Sequence, residues 1–457
     1  MEHSARDTAV QALRDRDGNP SRYLRYLLAH TQLSPADRAL ARELALGAVR
    51  RRDTLDAVIR AYLAQPNKKL PTPTGEILQI ALCQILFLDR VPNFAAVDEA
   101  VEQAARFHHK RQQAFINGLL RAIVRDLPDS PEKPAAVLPP AVDAVPREDG
   151  TSVRVGKAVF PDPDTDFVGY LAAAYSLPNP LVERWQARYG PEKTAKLARH
   201  SIASPPLICR VNTWRSSVEA VLESLAKDNQ PAGAHDNGLS VVIEPVDSLM
   251  TLSAFRDGLM QPQDPTASAV VASARVKPGM RVLDFCAAPG TKTTHLAERM
   301  ENRGEIVAVD INEEKCRRIE TNCRRLGIEI VKTLTPETLG RLELKSFDLV
   351  LLDVPCSNTG VLSRRPEARW HFDDETLSQL IRDQFSLAQA ACQYVAPGGQ
   401  LIYSTCSIEP EEGEQMADKI ANRLPLRLIS QKQTLPGGAN NPTQWHDGGY
   451  QALFEPK

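Results

Sequence analysis

Four short apolar runs in the C-terminal half constrain this chain more than any other feature: Arg281-Val-Leu-Asp-Phe285, Glu305-Ile-Val-Ala-Val309, Phe347-Asp-Leu-Val-Leu-Leu352 and Gln400-Leu-Ile-Tyr-Ser404. Each has the length of a strand, and their near-continuous apolar character predicts burial on both faces. Helix-length polar stretches separate them. That rhythm predicts an α/β fold, a doubly wound parallel sheet occupying residues 246–457. In such sheets ligands bind beyond the carboxyl ends of the strands, so the residues that follow each run carry the functional reading.

Upstream the periodicity changes. Leu55, Val58, Ile59, Tyr62 and Leu63 recur at helical spacing and paint one apolar stripe. Residues 77–88 leave almost no polar face, which predicts the central helix of a bundle, with Pro71 and Pro73 breaking the chain before it. Residues 1–127 are therefore expected to be all helix. The stretch 128–165 holds eight prolines and little apolar periodicity, and reads as an extended or mobile linker. Residues 166–245 are expected to form a small α+β domain: helices around Tyr170 and Trp185, then a strand at Leu207-Ile-Cys-Arg-Val211.

Composition removes several classes. No run approaches the roughly 18 apolar residues of a membrane span, and the first residues lack the pattern of a leader, so a cytoplasmic protein without a membrane partner is expected. The eight cysteines show neither paired spacing nor clustering with histidine, so neither disulfides nor a metal site is expected. Residues 1–127 hold 19 Lys and Arg against 14 Asp and Glu, an excess of five positive charges, whereas the remaining 330 residues carry an excess of seven negative charges. A basic front suits contact with phosphates, but an excess this small is better accounted for by an ordinary solvated face.

Beyond the first run lies Cys286-Ala-Ala-Pro-Gly-Thr-Lys292, leading into a helix. Small residues let backbone approach a ligand, and the helix start offers unpaired N–H groups. The spacing matches neither G-x-G-x-x-G nor a phosphate-binding P-loop. Asp310, at the tip of the second run, is placed to accept hydrogen bonds from the ribose of an adenosine-containing cofactor, or to cap the following helix. The third and fourth runs lead into Asp353-Val-Pro-Cys-Ser357 and Ser404-Thr-Cys-Ser407. Two thiols and a carboxylate should thus meet at the cofactor's edge of the sheet. Hydride transfer has no use for them, but cytosine does: its carbon 5 is a poor nucleophile until a thiolate adds at carbon 6.

Asp353-Val-Pro-Cys-Ser-Asn-Thr-Gly360, Thr405-Cys-Ser407 and Cys286–Lys292 resemble the signature motifs of the Sun/Fmu family of RNA cytosine-5 methyltransferases. Arg210-Val-Asn212, Gln263-Asp264, Phe115–Arg121 and Asp447-Gly-Gly-Tyr450 resemble further family segments, and the helical front resembles the NusB RNA-binding fold. The resemblance implies a class I methyltransferase domain using S-adenosylmethionine, with Cys406 as covalent nucleophile and Cys356 assisting release of the product. It implies that Asp353 bonds the polar edge of the cytosine and that Lys292 stands near the active centre. The cofactor would be held by Cys286, Ala287, Ala288, Pro289, Gly290, Thr291, Lys292, Asp310 and Asp353. The NusB-like front implies 16S ribosomal RNA as substrate, with transfer RNA as the alternative, and a monomer is expected.

The remaining thiols, Cys83, Cys209, Cys316, Cys323 and Cys392, read as small buried hydrophobes, with Cys286 serving its loop. Arg364, Arg365, Arg369 and Trp370 mix cations with an aromatic; they would grip phosphates and stack a base, or be solvated arginines beside one buried ring. Three positions depart from the family pattern. Thr291 and Asn358 stand where glycine is usual, and residues 328–336 lack the acid expected near adenine, leaving Thr333 or Thr335 as substitutes. These departures keep open an RNA-binding adaptor without catalysis. A DNA cytosine methyltransferase would instead take its nucleophile from the Pro-Cys segment.

Overall fold

A computed structural model describes residues 4–15, 18–107, 110–128 and 140–457. The chain forms two units: residues 1–204 with 362–372, and residues 205–361 with 373–457.

Helices dominate the first unit. Thr74–Phe87 is its core element, with Ile77, Leu78, Ile80, Ala81, Leu82, Ile85 and Leu86 all buried, as its all-round apolar sequence requires. Arg52–Tyr62 is amphipathic and buries Leu55, Val58 and Ile59. Helix starts follow local chemistry: the side chains of Ser4, Asn19, Ser34 and Asp166 each accept a backbone N–H of the first turn they precede.

The expected linker is corrected by the structure. Its residues 129–139 lie outside the described residues, but 140–165 is folded, with Ala144–Pro146 paired antiparallel to Ser152–Arg154. Val145, Val153, Val155 and Phe160 are buried, so the stretch had enough apolar residues to order itself despite its prolines. The segment expected as one small domain contributes to both units. Its helices Phe167–Tyr175 and Asn179–Ile202 join the first, where the Thr54 hydroxyl lies 3.0 Å from the Ala173 and Ala174 carbonyls. Its strands join the second, in a four-stranded antiparallel sheet ordered Ala232–Ala234, Ser240–Ile243, Leu207–Val211, Met260–Pro262.

The second unit is built on a seven-stranded sheet in the order Leu426–Thr434, Gly449–Pro456, Val395–Thr405, Phe347–Asp353, Arg281–Phe285, Glu305–Val309, Val331–Leu334. The last five in that order are mutually parallel, and Gly449–Pro456 and Leu426–Thr434 add an antiparallel edge. Alternate residues face opposite sides, as strand geometry dictates. Val282, Ile306, Ala308, Leu349 and Leu351 pack with Leu296, Met300, Ile319 and Leu326. Leu283, Phe285, Val307, Val309, Val350 and Leu352 pack with Ala388, Ala391, Met416 and Ile420. Both faces are covered, which explains why the sequence runs are continuously apolar. Among the described residues no helix is long and apolar enough to cross a membrane.

Candidate active site

Strands Arg281–Phe285 and Phe347–Asp353 lie side by side, and from this pair the strand order runs outward in opposite directions. This is the switch point of the sheet, where a crevice opens beyond the strand ends. The loop Cys286–Gly290 occupies one side of it. Ala287 N–H donates to Val309 O at 2.9 Å, and Gly290 N–H closes the turn on Ala287 O at 2.8 Å. Gly290 adopts φ 93°, and a Cβ there would stand 3.2 Å from Ile319 Cα, so glycine is needed both for conformation and for packing.

Helix Thr291–Arg299 starts directly after Gly290 with no side chain capping it. Its first N–H groups are therefore donors without intrahelical partners, facing a loop of small residues. Asp310 is 4% exposed, and its carboxylate spans the site: Oδ2 accepts Ala288 N–H at 2.8 Å, while Oδ1 accepts Ile311 N–H at 2.8 Å and meets Lys315 Nζ at 3.0 Å. The expected ribose acceptor thus already fastens the loop to the second strand. N–H donors, a carboxylate and a small-residue cradle together fit a zwitterionic adenosyl amino acid, which offers a carboxylate and hydroxyl groups to match them. At the third strand the Thr333 hydroxyl donates to Glu320 at 2.5 Å, and both line a cavity of about 340 Å³ with Glu313, Thr335 and Thr338. The acid missing from the strand itself is present there on the neighbouring helix.

The two thiols meet. Cys356 Sγ and Cys406 Sγ are 3.0 Å apart; Cys356 is 8% exposed and Cys406 is half-buried. Cys406 also donates to Asn358 Oδ1 at 3.3 Å. Asn358 adopts φ 60° and donates from Nδ2 to Cys356 O at 2.8 Å, so the residue that replaces glycine keeps the left-handed backbone and adds an acceptor at the thiol. The hydrogen bond from Cys406 lowers the pKa of Cys356, against burial and the nearby Glu412 charge, both of which raise it. The first proton lost belongs to the pair.

Lys292 Nζ pairs with Asp353 Oδ2 at 2.7 Å, and the Ser404 hydroxyl donates to Asp353 Oδ1 at 2.6 Å. Burial pushes the Lys292 pKa down, but the charge and hydrogen bond of Asp353 outweigh it and the net shift is upward, with further support from Cys406. Beneath them sits Asp284, 1% exposed, with Oδ2 accepting the Thr293 hydroxyl at 2.6 Å and Oδ1 without a hydrogen-bond partner among the described residues. Burial raises its pKa to about 7. Cys286 is pushed up to about 12, by burial first and then by Asp310, Asp353 and Asp284, which keeps it a thiol.

A polar network behind the thiols was not anticipated from sequence. Ser357 N–H donates to Glu412 Oε1 at 2.9 Å, and the Ser357 hydroxyl donates to Glu412 Oε2. Gln384 Nε2 donates to Glu412 Oε1 at 2.8 Å and to Pro355 O at 3.0 Å. Ser407 Oγ lies 3.0 Å from Ser357 Oγ and 3.1 Å from Thr359 Oγ1, and Gly360 N–H donates to Cys406 O at 3.0 Å. The sequence signal was the acidic run Glu409-Pro-Glu-Glu412 directly beyond Thr405-Cys-Ser407.

Arg369 and Trp370 are corrected. Arg369 is 0% exposed and donates to the carbonyls of Arg50, Tyr175, Ser176, Ser201 and Pro366 within the first unit, so it holds helix ends together and does not grip phosphates. The Arg52 guanidinium lies 3.7 Å from the centre of the Trp370 ring, which occupies a face of that ring. Cys83, Cys209, Cys316 and Cys323 are buried, as expected; Cys392 is half-buried.

Residues 273–446 match the family described as 16S rRNA methyltransferase RsmB/F, residues 3–125 the NusB family, and residues 177–243 the RsmF/B-like ferredoxin-like domain. The chain is 32% identical over 432 residues to the probable ribosomal RNA small subunit methyltransferase B of Synechocystis sp. (strain ATCC 27184 / PCC 6803 / Kazusa), covering 91% of this chain and 88% of that one. It is 29% identical over 419 residues to the protein of the same name from Bacillus subtilis (strain 168), covering 90% and 87%. In fold it resembles the crystal structure of PH0851 with a TM-score of 0.72, at 23% identity, over 99% of this chain and 98% of that one. The methyltransferase homolog protein from Pyrococcus horikoshii is similar at a TM-score of 0.53 and 26% identity, over 63% of this chain and 98% of that one. The doubly wound sheet, its paired Pro-Cys-Ser and Thr-Cys-Ser tips and these relatives agree: the chain belongs to the RsmB/F family of S-adenosylmethionine-dependent ribosomal RNA methyltransferases.

Proposed function

We propose that this protein methylates carbon 5 of a cytosine in 16S ribosomal RNA, with Cys406 as the covalent nucleophile. The observation that carries the reading is the meeting of two thiols, 3.0 Å apart, beside the Lys292–Asp353 ion pair at the switch point of the sheet. Two of the relatives reported above carry the name probable ribosomal RNA small subunit methyltransferase B and span nearly the same length.

S-adenosylmethionine, when bound, supplies the methyl group. The uncapped start of helix Thr291–Arg299 and the loop Cys286–Gly290 would hold its amino acid end, with Asp310 at the ribose and Asp353 close to both cofactor and base. Thr333, backed by Glu320, would serve the adenine end.

The sulfur of Cys406 adds to carbon 6 of the cytosine, forming a C–S bond and making carbon 5 electron-rich. Asp353 accepts from the polar edge of the base and so favours the protonated, electrophilic ring. Lys292 orients Asp353 and stabilises the Cys406 anion. After methylation, carbon 5 gives its proton to water, the electron pair of that C–H bond re-forms the C5–C6 double bond, and the C6–S bond breaks with its pair on the departing Cys406 thiolate; Cys356 assists that release.

The target base must leave its stack, at a cost of a few kcal/mol, on the order expected for base flipping, so an accessible loop cytosine is favoured. The basic helical front contributes phosphate contacts. We place the protein in the cytoplasm, where ribosomes are assembled, acting as a monomer because one chain provides every proposed group.

The test uses ribosomal RNA from cells lacking the gene. Incubation with the protein and methyl-labelled S-adenosylmethionine should label 16S RNA and create one bisulfite-resistant cytosine. Label without such a cytosine, or label in transfer RNA alone, would overturn the proposal.

A further inference from the structure

The two sulfurs of the site are chemically alike and in contact, yet the proposed function needs them to behave differently. The 3.0 Å contact between them is indifferent to which one is ionised, since either can donate to the other. What breaks the symmetry must therefore lie outside the pair.

On one side is Lys292, whose ammonium is stabilised by a Cys406 anion as well as by Asp353 and Asp284. On the other side is Glu412, which is 0% exposed. Its oxygens accept three bonds, from Ser357 N–H, the Ser357 hydroxyl and Gln384 Nε2, the acceptor-only pattern of an ionised carboxylate. Ser357 is the immediate neighbour of Cys356, and Gln384 also holds Pro355 O on its other flank. All its partners are neutral donors, so hydrogen bonds rather than a cation satisfy it, and its field extends through a poorly screened interior.

We propose that Glu412 is a positioning residue that assigns the charge within the thiol pair: its carboxylate, fastened to the Cys356 loop, keeps the proton on Cys356 and leaves the anion on Cys406. The proposal rests on the reading of Cys406 as nucleophile. The net shift of the Cys356 thiol is downward, led by the hydrogen bond from Cys406 and aided by Thr405 and the Asn358 backbone; burial and then the Glu412 charge oppose it, so Glu412 is the charged group that resists an anion on Cys356. Other groups also face the pair. Tyr403 donates to Glu412 O at 2.8 Å and to Gln384, which places its phenol on the Cys356 side as a neutral group. Asn358 is uncharged, but its Oδ1 accepts from the Cys406 thiol at 3.3 Å and favours a proton there, a bond that the Glu412 charge has to outweigh; Asp353 and Asp284 act through Lys292.

The test is site-resolved alkylation of the full-length protein with iodoacetamide, read by mass spectrometry across a pH series. In the unaltered protein Cys406 should be modified first. In Glu412→Gln, which keeps the shape but removes the charge, the Cys356 share should rise about tenfold, the change in thiolate ratio that one pKa unit produces. Ser357→Ala removes one bond and leaves the charge, so its ratio should stay that of the unaltered protein. An unchanged ratio in Glu412→Gln, or an equal change in Ser357→Ala, overturns the proposal.

If Glu412→Gln does not fold, the single-thiol variants decide. Cys356 in Cys406→Ser should reach half-maximal alkylation at higher pH than Cys406 in Cys356→Ser, and the reverse order overturns the assignment. None of these readouts needs methyl transfer. A failure here therefore removes the role of Glu412 alone, whereas a Cys406→Ala variant that still methylates removes the nucleophile and this proposal together.

Discussion

Cys356 Sγ lies 3.0 Å from Cys406 Sγ although 50 residues separate them in the chain. The parallel pairing of Asp353 with Ser404 sets that distance, because both strands end at one level and each leads into a loop bearing a thiol three or two residues later. Two adjacent strand tips thus convert two remote motifs into one reactive pair.

Removing each thiol should give a different phenotype. Cys406→Ala should lose methyl transfer by about 10³-fold or more, the scale seen when a covalent nucleophile is deleted. Cys356→Ala should still attack and then stall, leaving a protein–RNA adduct that survives a denaturing gel. Full activity in Cys406→Ala, or no adduct with Cys356→Ala, would contradict the assignments.

Lys292→Met should leave Asp353 without its cation and withdraw positive charge from Cys406. The pH dependence of the transfer rate should then move upward by roughly one unit, equivalent to about tenfold less thiolate at a given pH. A loss of rate with an unmoved pH profile would mean that Lys292 acts in binding alone.

Asp284 provides a pH signature in stability. Its pKa is raised by burial from 3.8 to about 7, so between those values the folded protein holds a proton that the unfolded chain has released. Stability from this group is greatest at low pH and falls as pH rises toward 7, by about 1.4 kcal/mol per pH unit at most. Asp284→Asn stays neutral throughout. Denaturant titrations should show the variant gaining stability relative to the unaltered protein as pH rises from 4 to 7, and a constant difference would refute the assignment.

Arg369→Ala should destabilise the first unit. The guanidinium satisfies Arg50 O, Tyr175 O, Ser176 O and Ser201 O, carbonyls at the ends of helices Pro35–Arg50, Phe167–Tyr175 and Asn179–Ile202. Each buried carbonyl left unpaired costs about 1–3 kcal/mol, so a loss of several kcal/mol is expected in urea unfolding. Arg369→Lys should recover only part of it, since an ammonium cannot match the fork that reaches all four.

Much of the site was legible because its residues sit at fixed offsets from recognisable strands. Asp310, Asp353, Cys356 and Cys406 follow apolar runs whose direction and level in a parallel sheet are nearly forced. Glu412, Gln384 and Asn358 were not legible as partners of the thiols, because a polar residue in a loop or on a helix has no periodicity that says what it will face. The prolines of 140–165 likewise hid a hairpin, and Arg369 read as either a phosphate ligand or a solvated arginine, whereas burial places it among helix ends.

The amino-acid order by itself determined the elements: buried strands from continuous apolar runs, a central helix from Ile77 to Leu86, the glycine at 290, and the thiols at two strand tips. Those follow from local sterics and burial, which act over a few residues. Only the tertiary structure decided how charges are shared among Lys292, Asp353, Asp284 and Glu412, and that the two thiols approach to 3.0 Å. Electrostatic energies in an interior depend on distance and desolvation between groups far apart in the chain, and neither is fixed until the fold brings them together.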